Sequence, residues 1–584
     1  MVIPQKYVYR ASAFFIGLSI LSGYIMSQRT FWGHWPLGLL LGAWLAMSLM
    51  FFNRFEKNGN FSLYLKLTAS GILLGCSFLT LSPLAFVAFI PLFHHTEQEF
   101  SQPEFSWKQA FGKAYHVFIL WNIIATYWVA NAALVPGLVA FTLNSLFMCI
   151  PWLLSVWVGR RFKSLWPIAL CCFWLLFEWG HHQWEISWPW LSLGNCMGFL
   201  PQWVQWYEYT GTFGGSAWIL IGNFIALGSL IAIKRRVWYG LAFLLWIGLP
   251  ISISLWMFGW EEEKGLSIDV AIVQPNYEPH FEKFQVDQGI QMKRFMDLSR
   301  KVLDDSTEYL LWPETSFEYL ESGRFNLDWR IRAVQDLLED YPSTCLITGL
   351  GTIKPMSSND PKTEATRKNM RGGEPEFFEV QNSAAQVCHR ADDYPLYVKS
   401  KLVPGVETFP YRRWLPFLKP IVDQLGGSIY GLGKQSDRTV FQKDSTSIAP
   451  VICYESIYGN YIGDYIRKGA QAIFIMTNDG WWDNTPGHIQ HLKFGSLRAI
   501  EFRKPIARSA NTGISCFIDT KGIVYQATRY DEKASVRGKI YTNSIKTFYL
   551  KHGDYIINFA LFGAITVWLI VIFKVLIIRF SKNQ

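Results

Sequence analysis

Three side chains in this sequence have the types needed for acyl transfer. Cys453 ends the apolar run Val451-Ile452 and is followed by Tyr454-Glu455, Glu314 closes Leu311-Trp312-Pro313, and Lys399 follows Tyr397-Val398. Each stands where an extended run breaks into a loop, the kind of position from which functional side chains converge. A free thiol has a pKa of about 8.5, so little of it is thiolate at neutral pH and a neighbouring base must take its proton before it attacks a carbonyl. Glu314 has the chemistry of that base. Attack builds a negative oxygen, and one fixed donor aimed at it lowers the barrier by about 3 kcal/mol. Lys399 can be that donor, helped by the backbone N–H of Tyr454. Taken singly, each has a plainer reading: Glu314 as a helix-start carboxylate after Pro313, Lys399 as a surface lysine on an edge strand, Cys453 as a small buried hydrophobe. The joint occurrence carries the argument.

These groups need elements to hold them, and composition divides the chain. Half the residues are hydrophobic and only 17% are charged, with 27 Trp and 44 Phe, against about 25% charged in an average soluble domain. The excess is uneven: residues 1–260 and 555–580 are nearly continuous apolar runs, whereas 262–550 alternate like a globular domain. Against a requirement of about 20 residues per span, ten runs emerge, at 8–26, 36–52, 63–81, 83–93, 111–130, 134–158, 165–184, 212–233, 237–260 and 555–578. The fourth is short, which leaves nine spans plus a re-entrant segment open. A signal peptide at the first run is disfavoured, because no small-residue cleavage site follows and a second run comes at once. The fold class is therefore a polytopic α-helical membrane protein with an inserted α/β domain.

Orientation follows from the cations. Arg54, Lys57, Lys108, Arg160, Arg161, Lys163, Lys234, Arg235, Arg236, Lys574, Arg579 and Lys582 fall on one side of ten spans, while the opposite connections hold only Arg29 and residues 180–211 hold none. The positive-inside rule places both termini in the cytoplasm and the soluble block across the membrane. The net charge of +9 reflects this bias, so no nucleic-acid partner is implied.

Inside the block, apolar runs at 268–273, 309–312, 345–349, 378–387, 396–402, 447–453 and 472–477 predict strands, with helical patterns at 291–303, 329–339 and 457–468. Residues 355–376, with Arg371-Gly372-Gly373, predict a mobile loop. Strands alternating with helices predict a layered α/β fold. The nine cysteines suggest no disulfide framework and, Cys453 apart, are expected to pack as apolar side chains. His488 and His491 lack a third ligand at suitable spacing, so no metal is expected. The aromatic stretch with Trp188, Trp190, Trp203, Trp206 and Tyr207 reads either as an interfacial belt or as an apolar mouth for acyl chains. Glu178, near the end of a span, is either a polar cap or part of a headgroup path.

Further segments carry a resemblance: Trp312-Pro313-Glu314-Thr315, Asn382-Ser383-Ala384, Tyr397-Val398-Lys399 with Leu402-Val403-Pro404 and Glu407, Ile452-Cys453-Tyr454-Glu455, and Thr477-Asn478-Asp479-Gly480-Trp481-Trp482. Gln490-His491, Arg498-Ala499-Ile500-Glu501, Arg503-Lys504-Pro505 and Arg508-Ser509-Ala510-Asn511-Thr512-Gly513 continue it. In order and spacing, across about residues 63–575, the chain resembles the nitrilase superfamily and, within it, the apolipoprotein N-acyltransferases of Gram-negative bacteria. The resemblance implies an αββα sandwich on a membrane body, with Glu314 as base, Lys399 as oxyanion stabiliser and Cys453 as acyl carrier. It implies supporting or gating roles for Tyr454, Glu455 and Glu407. It also divides the chain into an additional helix pair at 1–60, a transmembrane body at 61–262, a periplasmic catalytic domain at 263–550 and a C-terminal helix with a short tail at 551–584. Gly405-Val406 stands where the family has Phe-Gly before the glutamate, and Phe284 where a tryptophan is expected.

The implied activity moves a fatty acyl chain from a phospholipid, through a Cys453 thioester, to the terminal amine of a diacylated apolipoprotein, in the inner membrane, as a monomer and without a cofactor. A membrane-tethered amidase or hydrolase using the same triad with water is the competing reading. A transporter with a degenerate domain is a third, which the intact triad and the scarcity of charges in the spans argue against.

Overall fold

The computed structural model describes residues 5–55, 61–261, 265–371, 374–391, 393–412, 414 and 431–582. Lys57, Gly372, Gly373 and Gln584 lie outside them. The membrane part comprises α1 (Gln5–Ser27), α2 (Trp35–Phe55), α3 (Phe61–Ser77), α4 (Ile90–Glu99), α5 (Trp107–Thr126), α6 (Val129–Ala132), α7 (Leu134–Arg161), α8 (Trp166–Gln183), α9 (Tyr207–Ile231) and α10 (Arg236–Phe258). Among the described residues, five helices, the last at Tyr555–Ile577, are long and apolar enough to cross a bilayer unaided, and Trp35–Phe51 and Phe61–Ser77 are shorter apolar helices. The protein is a multi-pass membrane protein.

Small residues let these helices touch, as expected where lipid removes the hydrophobic drive for association. Gly38 and Gly42 on α2 face Ser22 and Ser19 on α1 so closely that a Cβ on Gly42 would lie 2.7 Å from the carbonyl of Phe15. Gly71 and Gly75 on α3 do the same against α5, where a Cβ would meet Leu120 at 2.7 Å and Ile124 at 2.5 Å. Thr68 bonds His116 at 2.9 Å, so the contacts on α3 and α5 advance together and the two helices run parallel. The chain must return between them. The segment that returns it is the fourth run, broken into a 3-10 turn at Ser82–Phe86 and α4, each with proline in its first turn.

The inserted domain holds β1 (Ser267–Gln274), α11 (Gln288–Arg300), β2 (Tyr309–Leu311), β3 (Phe317–Glu321), α12 (Trp329–Asp340), β4 (Cys345–Met356), β5 (Arg367–Arg371), β6 (Glu374–Cys388) and β7 (Leu396–Val398). It continues with β8 (Phe441–Lys443), β9 (Thr446–Ile452), α13 (Gly459–Arg467), β10 (Ala472–Thr477), α14 (Pro486–Phe502), β11 (Ile506–Ala510), β12 (Cys516–Ile518), β13 (Val524–Tyr525) and β14 (Ala534–Tyr541). α15 (Phe548–His552) and α16 (Tyr555–Lys582) follow. One sheet has the order β14-β1-β2-β4-β6-β5, with β3 on β4 and β7 on β6; the other has β13-β12-β11-β10-β9-β8. Alternation along each strand builds the layers. Ala271, Val273, Leu310 and Leu346 face α11 and α12, meeting Phe295, Val334 and Leu337. Ile268, Val270, Ile272, Tyr309 and Leu311 face the other sheet, where the rings of Tyr309 and Phe474 lie 5.3 Å apart. α13 and α14 cover the far side. This is the αββα sandwich of the nitrilase type.

Two expectations fail. Cys345 and Cys388, expected only to pack, form a disulfide. They are opposite partners in the antiparallel β4–β6 ladder, a pairing that spacing rules do not detect. Residues 355–376, expected to be a loop, contain the end of β4, all of β5 and the start of β6, because β5 and β6 form a hairpin from Arg367↔Phe378 to Arg371↔Glu374. The aromatic stretch is also not a lipid-facing belt throughout. It folds into 3-10 turns at Pro189–Leu191, Leu193–Phe199 and Pro201–Trp203, with Trp190 buried, and forms a floor under the inserted domain. Glu178 secures that floor by accepting from Leu193 N at 2.8 Å and Trp174 Nε1 at 3.0 Å. A single apolar core runs from Leu74 and Trp121 in the helices to Ile452 and Phe517 in the sheets.

Candidate active site

Glu314 is set by the turn after β2. Trp312 N donates to Ile347 O at 2.9 Å, Ser316 N to Gly349 O at 2.7 Å and Gly349 N to Pro313 O at 3.1 Å. Gly349 permits this approach, since a Cβ there would lie 2.6 Å from Glu314 Cα. Lys399 follows β7, with its N–H on Asn382 O at 2.8 Å. Its ammonium, 1% exposed, donates to Glu314 Oε1 at 3.1 Å and to Glu407 Oε1 at 2.8 Å. Asn382 Nδ2 donates to the same two oxygens at 2.8 and 3.1 Å. With Gly405-Val406 before it, Glu407 reaches the Lys399 ammonium. Gly405 takes a left-handed φ of 83°, the bend closes through Gly405 N to Thr408 O at 2.7 Å, and Glu407 Oε2 accepts from Val403 N at 2.8 Å.

Cys453 follows β9 with a φ of 48°, a strained value for a residue with a side chain and one found at functional turns. Glu455, fully buried, holds the turn. Its Oε2 accepts from Ile452 N at 3.0 Å, and its Oε1 accepts from Ser400 N at 2.8 Å and from the hydroxyls of Tyr397 and Tyr461 at 2.5 Å each. One carboxylate therefore ties the cysteine turn to the lysine strand. Tyr454 points the other way and donates to Ser187 O at 2.8 Å, anchoring the turn on the floor of the membrane part.

Electrostatics agrees with a thiol that needs a base. Burial, and then the Glu314 charge, push the Cys453 thiol up, against the opposing pull of Lys399 and a hydrogen bond with Thr477. Burial works against the Lys399 ammonium, but Glu314 and Glu407 outweigh it and hold the group charged. Lys283, pushed down to about 8 by burial, donates to Glu314 O at 3.3 Å.

Behind the cysteine turn lies a buried network to which the sequence reading gave no role. His491 Nε2 lies 3.1 Å from Cys453 O and 3.0 Å from Ser456 Oγ, and its Nδ1 lies 3.0 Å from Asp479 Oδ1. Arg508 Nη2 donates to Asp479 Oδ2 at 2.6 Å. Burial raises Asp479, yet Arg508 and His491 outweigh it and hold the carboxyl well below the usual range. Asp479, His491 and Arg508 stood in segments that carried the resemblance, but no local pattern signalled their burial together. The two histidines diverge: His488 packs on Tyr530 with centroids 4.6 Å apart, whereas His491 stacks on Trp190 at 5.9 Å.

The two parts of the chain are bonded to each other around this site. Gln490 Nε2 donates to Phe78 O at 2.9 Å and Ala125 O at 3.0 Å, and Trp190 Nε1 donates to Gln490 Oε1 at 2.7 Å. Glu501 Oε1 accepts from Thr212 N at 3.1 Å, just beyond the kink of α9 at Gly211.

A family model described as apolipoprotein N-acyltransferase N-terminal domain matches residues 70–225, and one described as carbon-nitrogen hydrolase matches residues 382–545. A curated apolipoprotein N-acyltransferase of Chlorobaculum tepidum is 30% identical over 506 residues, covering 83% of this chain and 92% of its own. One from Geobacter metallireducens is 26% identical over 526 residues, covering 84% and 92%. Among solved structures, Saccharomyces cerevisiae Nit3 of the nitrilase superfamily is 12% identical, with a TM-score of 0.34 over 48% of this chain and 92% of its own. The arrangement around Cys453 and the length of the match to the first relative lead to one placement: this chain belongs to the apolipoprotein N-acyltransferase family.

Proposed function

We propose that the protein transfers a fatty acyl chain from a phospholipid to the amino terminus of a diacylated lipoprotein. The observation that carries this is the burial of Glu314, Lys399 and Cys453 in a domain whose nucleophile turn rests on membrane helices. Glu314 takes the thiol proton as Cys453 Sγ attacks the donor's ester carbonyl, and the oxyanion forms against Lys399. The C–S bond forms, the ester C–O bond breaks, and Glu314 returns the proton to the departing lysophospholipid alkoxide. In the second half the lipoprotein's neutral amine attacks the thioester. Glu314 takes the ammonium proton of the intermediate and passes it to the leaving thiolate, giving an amide and restored Cys453. Glu407 and Asn382 hold Lys399 and Glu314 in register, Glu455 sets the turn, and Tyr454 fixes its height above the membrane part. The family's acceptor, named in its relatives, favours this over an amidase using water.

The protein, purified with phospholipid in detergent, is expected to carry a fatty-acyl mass on Cys453 that persists for many minutes. Adding a diacylated lipopeptide with a free amine should discharge it to an N-acylated product. Rapid loss as free fatty acid, at a rate the lipopeptide does not change, would leave the hydrolase reading instead.

We also place both termini in the cytoplasm and the catalytic domain in the periplasm of a bacterial inner membrane. The cation asymmetry and the Cys345–Cys388 disulfide, a bond favoured in oxidising compartments, support this. Reporter fusions after Arg161, Arg236 and Gln584 are expected to report cytoplasm, and one at Asn359 periplasm. A cytoplasmic signal at Asn359 would overturn the orientation.

A further inference from the structure

Helices α1 and α2 precede the region matched by either family model, which begins at residue 70, yet the loop between them reaches the catalytic domain. Gly33 N donates to Asp483 Oδ2 at 2.9 Å. Asn131 Nδ2 donates to Gly33 O at 3.0 Å and to Trp482 O at 3.1 Å, so one amide stitches the hairpin loop to the turn after β10. His34 is hydrogen-bonded to Tyr127, and the ring of Phe31 meets Phe281 edge-on at 6.0 Å.

Both segments touched by this loop lead to the chemistry. Asp483 ends the turn that begins at Thr477, whose hydroxyl donates to Asp479 Oδ1 at 2.9 Å in the network behind the Cys453 turn, and it sits at a strained φ of 55°. Phe281 belongs to the segment in which Lys283 bonds Glu314 O. Between the two segments, Trp481 lies against His280 with centroids 5.0 Å apart and stacks on Phe284 at 6.3 Å. Phe31, Phe281 and Phe284 are about half exposed, forming an aromatic rim. Helix α1, which runs into this loop at Ser27, leaves Phe14, Ile20 and Tyr24 exposed.

We propose that the α1–α2 loop is a wall of the active-site mouth: its bond to Asp483 positions Trp481, and Phe31 extends the rim along which the donor's acyl chain passes from the bilayer to Cys453. The loop joins an apolar helix long enough to cross a bilayer and little buried by the rest of the chain, which points to a lipid chain as the occupant. Asp483 and Phe31 touch no reacting atom; they are positioning residues, and the role rests on the acyl-transfer reading.

The test compares acylation of Cys453 by phospholipid with its acylation by a short-chain p-nitrophenyl ester, in the full-length protein. Asp483→Ala and Phe31→Ala are each expected to raise KM for phospholipid about tenfold, the scale of a small misplacement in a positioned site, with kcat and the ester reaction nearly unchanged. Asp483→Asn, which keeps an acceptor for Gly33 N, should recover most of the loss. Unchanged phospholipid kinetics in both alanine variants would overturn the proposal. Equal losses on both substrates with a lowered Tm would overturn it too, as a purely structural contact. Wild-type protein that forms no acyl adduct from phospholipid would instead remove the acyl-transfer reading.

Discussion

Cys453→Ala, Glu314→Gln and Lys399→Met each reduce acyl transfer by about a thousandfold or more, and any two together cost little beyond one. The reason is that each removes a different part of a single step: the nucleophile, the acceptor of its proton, or the cation facing the new oxyanion. Glu314→Gln is the cleanest of the three, because the amide oxygen can still accept from Asn382 and Lys399, whose bonds to Oε1 are 2.8 and 3.1 Å. Lys399→Met leaves the Glu314 and Glu407 carboxylates buried without their shared cation, so a fall in Tm accompanies the loss. Single-turnover rates with phospholipid, measured beside Tm, separate the two effects. Double variants whose losses multiply would mean that the groups act in separate steps.

The largest effect on stability is expected at Arg508. Removing one member of a buried pair leaves an uncompensated charge and costs about 3–5 kcal/mol, and Asp479 has no exposed surface through which to recover solvation. Arg508→Met should therefore lower Tm sharply, and adding Asp479→Asn should recover much of it by removing the stranded charge. The pH dependence has a definite sign. Asp479 is held below its unfolded pKa of about 3.9, so its contribution is present above that value and is lost as pH falls through its lower folded value. In Arg508→Met the carboxyl is no longer held down, and the acid limb of the stability profile moves to higher pH. An unchanged acid limb in the variant would show that Arg508 is not what stabilises the Asp479 charge.

The sequence revealed what local pattern encodes. Strands β1 and β10 and helix α12 fell where periodicity placed them, and Glu314, Lys399 and Cys453 stood at strand ends that the fold brings to one site. It was silent where the partner is remote. Asn382 bridges to Glu314 across 68 positions and Gly33 reaches Asp483 across 450, separations that no hydrophobic period records. The same limit hid the disulfide, since Cys345 and Cys388 become neighbours only once β4 and β6 pair in register. It also hid β5, a strand whose charged residues give no apolar alternation. The fourth run was ambiguous by length because prolines break it into a 3-10 turn and a short helix.

The single core shared by the helices and the sheets bears on heredity as well as on chemistry. A catalytic half exchanged by recombination with that of a distant relative would arrive without the matching side chains for Gln490 and Arg503, whose partners are the Trp190 indole and the side chains of Glu208 and Gln205. A substitution at one of these side chains is therefore expected to be tolerated best beside a matching one across the seam.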